Sequence, residues 1–142
     1  DYYKLTNNHE FLERAIKMGK WESCVQLKNG AFPDKTLNSN RPFIFDTAQV
    51  IQGFNSLYKN TGEEVWLENS KKAADWVISK QNKDGSWIRC SNNREPHSYY
   101  TRVSWPLMEL AHLKGSDKFF SAAEKKLPLQ LLWGLKRTAS YG

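Results

Sequence analysis

Apolar residues recur along this chain with a helical period. Val50, Phe54 and Leu57 fall at i, i+4 and i+7, with Ile51 and Tyr58 alongside, so the segment 46–60 is expected to be an amphipathic helix. Asn60-Thr61-Gly62 ends it, Gly62 supplying a left-handed C-terminal residue. Thr61-Gly-Glu-Glu64 has capping-box spacing for a second helix over about 63–80, in which Trp66, Ser70, Ala73 and Val77 form one row and Leu67, Ala74 and Ile78 the next. A link this short forces the two helices antiparallel, so 46–80 reads as an αα-hairpin. Val103, Leu107 and Leu110 predict a further helix near 98–113, then Lys-Gly115-Ser and another helix from Asp117. An earlier helix near 8–25 opens with the cap-spaced run Asn7-Asn8-His9-Glu10. Pro106 is expected to kink the 98–113 helix unless it falls in the first turn. No alternating stretch is long enough for a sheet, and the fold class is all-α.

The pattern also repeats. Gln26, Gly30 and Phe32 share the spacing Gln-x3-Gly-x-aromatic with Gln81, Gly85 and Trp87, 55 residues on, and Trp21 and Trp76 precede each Gln by five positions. Phe45-Asp46-Thr47 corresponds to Tyr99-Tyr100-Thr101 at an offset of 54, and Gly62 to Gly115 at 53. One domain, 1–142, is therefore read as hairpin repeats near 8–60 and 63–115, followed by a degenerate third over 116–142. The third departs from the pattern at Pro128, which should interrupt its helix. The loops 29–44 and 83–97, rich in Asn, Pro, Gly and Ser, would emerge together at one end of the hairpins, where binding functions collect.

Composition narrows the class. With 21 Lys plus Arg against 15 Asp plus Glu and an aromatic fraction of 13%, the chain has too much large apolar surface to stay disordered. Its cations are scattered in pairs such as Lys71-Lys72 and Lys125-Lys126, so nothing marks a nucleic-acid tail. A mildly basic surface remains compatible with an acidic ligand, such as a uronic-acid sugar. No run reaches the ~18–20 apolar residues of a membrane helix. Cys24 and Cys90 form neither a disulfide framework nor a metal knuckle, and His9, His97 and His112 lack zinc spacing. A soluble protein of a reducing, cytoplasmic compartment is expected, with no metal and no cofactor.

Phe45-Asp46-Thr47-Ala48-Gln49, the Thr-Gly-Glu-Glu linker, Ala73-Ala74-Asp75-Trp76 and Gln81-Asn-Lys-Asp-Gly-Ser-Trp87 resemble the α/α-toroid superfamily. That superfamily includes terpenoid cyclases, protein prenyltransferases, six-hairpin glycosidases and related polysaccharide lyases. The chain is also similar to uncharacterised bacterial toroid proteins, some carrying an aminolevulinate dehydratase-like label. The resemblance spans about residues 12–127 and implies a partial α/α toroid, since six repeats would need roughly 330 residues. The chain is thus expected to be a truncated or frame-altered relative of a larger toroid. It would cover exposed hairpin faces, including Leu127, Leu129, Leu131, Leu132 and Trp133, against a second copy as a homo-oligomer. The cyclase acidic signatures are absent, and dehydratase chemistry would need a Schiff-base Lys on a barrel that this pattern does not make.

The Gln-x3-Gly-x-Trp element resembles the QW motif of the cyclases, and its physical role is a clasp: Gly turns tightly, the ring covers a helix end, and the Gln amide bonds free backbone groups. Asp46 and Gln49, three apart at a helix start, are either a capping pair or sugar-hydroxyl ligands, with Asp46 an acid or base. His97, Tyr99 or Tyr100, and Arg102 supply a base, a hydroxyl and a cation, the set that β-elimination on a uronate needs. Arg102, Trp105, Glu109 and His112 share one helical row, in which Arg102 can pair with Glu109. Trp87 and Arg89 would stack on and clamp a sugar ring, unless Trp87 is the clasp aromatic. The expected function is carbohydrate binding at the loop end of the hairpins. Two alternatives stand beside it: a lyase or glycoside hydrolase acting on an acidic polymer, and a non-catalytic fragment stabilised by oligomerisation.

Overall fold

The computed structural model describes residues 2–33, 41–90 and 101–125. Among these residues it is all-helical: α1 (Tyr2–Thr6), α2 (His9–Val25), α3 (Ile44–Thr61), α4 (Glu64–Ser79), α5 (Thr101–Lys114) and α6 (Asp117–Glu124). The only extended pairing among the described residues is a single antiparallel bridge between Pro33 and Pro42.

The α3–α4 hairpin follows the expected rows. Ile51, Phe54 and Leu57 of α3 are buried, as are Trp66, Leu67, Ser70, Ala73, Ala74 and Val77 of α4. Phe54 stacks on Trp66 with ring centroids 5.9 Å apart, and Phe32 tilts onto Phe54 at the same distance. Gly62 closes α3 at φ 71°, its N–H donating to Tyr58 O. The capping box expected over 61–64 is not made. Thr61 Oγ1 instead donates to Leu57 O (2.9 Å) and accepts from Glu63 N (3.2 Å), so it bridges two helix ends rather than trading bonds with Glu64.

The start of α3 also differs from expectation. Phe43, not Asp46, is the N-cap residue, and it makes no side-chain cap bond. The helix begins earlier because Ile44 is fully buried and its N–H donates to Cys90 O of the second loop at 2.9 Å. Asp46 therefore sits in the first turn, where its charge favours the helix dipole. In α2 the cap falls on Asn8 rather than Asn7, Asn8 Oδ1 accepting from Glu10 N at 3.0 Å.

A second hairpin, α5–α6, packs beside the first through α3 and α5. These two leading helices run parallel. Asn55 Nδ2 donates to Pro106 O (3.0 Å) and Glu109 Oε2 (3.2 Å), and Lys59, one turn on, pairs with Glu109. The same buried Asn55 accepts from Ser70 Oγ of α4, so one amide ties three helices. Pro106 lies past the first turn of α5, buried, and α5 continues through it to Lys114. The trailing helices α4 and α6 back α3 and α5, and α2 lies beside α4, Asn69 Nδ2 donating to Ser23 Oγ at 2.9 Å.

The clasp binds successive trailing helices. Gln26 Nε2 donates to Gly30 O (2.9 Å) and to Asn69 O of α4 (3.0 Å). Gln81 Nε2 repeats this on Gly85 O (3.1 Å) and Ala122 O of α6 (2.8 Å). Each amide closes its own turn and fastens it to the next hairpin. Gln81→Ala should cost about 1–3 kcal/mol by stranding these half-buried carbonyls, read as a lower urea midpoint at unchanged helical circular dichroism.

Candidate functional site

Because α3 and α5 run parallel, their N-terminal ends lie on the same side of the hairpins, and the bond from Ile44 N to Cys90 O draws the second loop to the start of α3. Arg41, Asp46, Arg89 and Arg102 are all exposed there. Arg41 stands three residues before α3, Arg89 beside the anchoring Cys90, and Arg102 in the first turn of α5. Three guanidinium groups and one carboxylate thus lie exposed at or near the helix starts on this side of the hairpins, charges suited to anions with hydroxyl groups. Asp46 itself takes part in an interaction within the fold.

The expected site residues divide. His97, Tyr99 and Tyr100 lie outside the described residues. Trp105 is 58% exposed. Arg102 and Glu109 share the predicted row, but the ionic partner of Glu109 is Lys59 of α3. Trp87 cannot stack on a sugar. It is wholly buried, with its indole N–H donating to Val77 O at 2.9 Å, so it belongs to the clasp. Gln49 sits five residues beyond the start of α3, and its buried Nε2 has no hydrogen-bond partner among the described residues.

Gln49 instead lines an unexpected groove between α2 and α3. One part of it, about 310 Å³, is walled by Ala15, Met18 and Glu22 of α2 and by Val50, Phe54 and Leu57 of α3. A wider continuation reaches α1 through Tyr2 and Tyr3. Burial against this apolar wall holds the Glu22 carboxyl above the ordinary carboxylate range. A signal for the groove was present in the repeat: Glu22 and Met18 occupy positions whose counterparts 55 residues on are Val77 and Ala73.

Among the described residues no group of His, Cys, Asp or Glu is placed to hold a metal ion, Cys24 and Cys90 are free thiols, and no helix is long and apolar enough to cross a membrane. Comparison with protein-family models, curated proteins and solved structures returns no match.

Proposed function

We propose that this chain is a helical-hairpin module of the α/α-toroid type whose loop end binds an acidic carbohydrate. The observation that carries the reading is that Arg41, Arg89 and Arg102 are all exposed on the side of the hairpins where α3 and α5 begin, with Asp46 exposed in the first turn of α3. Guanidinium forks suit the carboxylates of uronate residues, and Asp46 can accept from sugar hydroxyls. Exposed Trp105, one turn along α5, offers an aromatic face to the C–H side of a ring. The clasps support the toroid reading, because each repeats the same bonds from a Gln amide to the following hairpin. His97 and Tyr100 extend the proposal to proton abstraction and leaving-group protonation on the same polymer.

Titration calorimetry with oligogalacturonate should give saturable binding that weakens with salt, while a neutral glucan gives none. The combined variant Arg41→Ala, Arg89→Ala, Arg102→Ala should lose at least about tenfold in affinity, with its thermal midpoint unchanged because all three side chains are exposed. Equal binding by variant and parent would refute the reading. If the chain also cleaves the polymer, the ultraviolet absorbance of an unsaturated uronate should rise, and His97→Ala should abolish that rise without abolishing binding.

A further inference from the structure

Residues 2–25 repeat the path of residues 57–80. Asn7 takes φ 52° where Gly62 takes 71°. Asn7 N donates to Tyr3 O as Gly62 N does to Tyr58 O. Thr6 Oγ1 donates to Tyr2 O and accepts from Asn8 N, as Thr61 Oγ1 does with Leu57 O and Glu63 N. Tyr3 packs on His9 where Tyr58 bonds Glu64. In register and geometry α1 is the last turn of a leading helix, the counterpart of the end of α3, and α2 is its trailing helix.

That trailing helix lacks the cover its counterpart has. Trp66, Leu67, Ala73 and Trp76 of α4 are 2%, 1%, 0% and 5% exposed. At the matching positions of α2, Phe11, Met18 and Trp21 are 39%, 68% and 50% exposed, and Leu12 is half-buried. Phe11, Leu12 and Met18 of this face line the α2–α3 groove, and Tyr2 and Tyr3 of α1 line its far part. On the opposite wall Gly53 has nothing within 4 Å of where a Cβ would stand.

We infer that the α2–α3 groove is the seat of an α-helix leading into α1: a leading helix of the α3 kind, supplied by polypeptide ahead of Tyr2. The register of the repeat fixes the occupant and its direction, because only a helix ending in α1 continues the bonds already made at Thr6, Asn7 and Asn8. Its apolar face covers Phe11 and Met18 as α3 covers Trp66 and Ala73, and its polar groups meet Gln49 Nε2, which lacks a partner among the described residues.

The test grafts the sequence of residues 44–57 directly ahead of Tyr3, so that the junction reproduces the natural step from Leu57 to Tyr58. A control graft carries two extra alanines at the junction, which turn the added face by about 200°. The readout is peroxide oxidation of Met18 by mass spectrometry, with half-buried Met108 as the internal reference, together with the urea midpoint. The in-register graft should slow Met18 oxidation at least tenfold and raise the midpoint, and the slipped graft should do neither. Failure of the in-register graft to protect Met18, or equal protection by both grafts, overturns the inference. Protection in the ungrafted chain that grows with protein concentration assigns the groove to a second copy and overturns it as well.

Discussion

Gly30→Ala should cost about 2–5 kcal/mol, the sum of a left-handed backbone penalty and an overpacking penalty. Gly30 lies at φ 92°, and a Cβ there would stand 2.2 Å from Lys72 O and 2.6 Å from Lys72 C. Lys72 is in the middle of α4, where the helical ladder holds its carbonyl, so it cannot retreat. The repeat-related Gly85, at φ 81°, would bring its Cβ to 2.4 Å from Lys125 O. Lys125 is the C-cap residue of α6, and a helix end yields more readily than its middle, so Gly85→Ala should cost less than Gly30→Ala. Two further glycines separate the causes. Gly62, at φ 71° in open space, should show only the backbone penalty of about 1–2 kcal/mol. Gly53, helical and uncrowded, should gain about 0.5–1 kcal/mol on replacement by alanine. Urea titrations of the four variants give the ranking; a Gly30→Ala loss no larger than that of Gly62→Ala would mean that the clasp turn does not press on α4.

The hairpin rows were legible because burial chose the apolar residues: Trp66, Ser70, Ala73 and Val77 share a face only in a helix, and all four are buried together. The clasp was legible because its three parts each have a distinct job and recur together. Other features depend on partners far away in sequence. The start of α3 is set by Cys90 O, 46 residues downstream of Ile44, and a local cap rule applied to Asp46 cannot see that bond. The five residues of α1 are too few for a periodicity window, and their meaning emerges only from superposed hydrogen bonds. At the loop end, sequence picked out Asp46 at a helix start, Arg102 as a cation at a helix entry and Arg89 as a loop residue that could clamp a sugar. Trp87 it could not resolve, since the same ring serves a clasp or a sugar platform and only its depth decides.

That depth makes Trp87→Ala the second large effect. Trp87 is 0% exposed, and its loss should cost about 3–5 kcal/mol through the cavity it leaves. Its indole N–H also donates to Val77 O in the last turn of α4, a carbonyl that otherwise accepts only a longer bond (3.2 Å) from Lys80 N. Trp87→Phe keeps most of the volume and removes the donor, so it should cost about 1–2 kcal/mol. The first repeat already carries that substitution, Phe32 being 2% exposed with no ring N–H to give. Differential scanning calorimetry of Trp87→Ala and Trp87→Phe, combined with oligogalacturonate titration, separates the two roles. A clasp ring predicts a large fall in the thermal midpoint for Trp87→Ala, a small one for Trp87→Phe, and unchanged affinity in Trp87→Phe, because a wholly buried ring meets no ligand. A sugar platform predicts the reverse: affinity lost in Trp87→Ala at an unchanged midpoint. The bond to Val77 O and the absence of exposed ring surface place Trp87 with the first outcome.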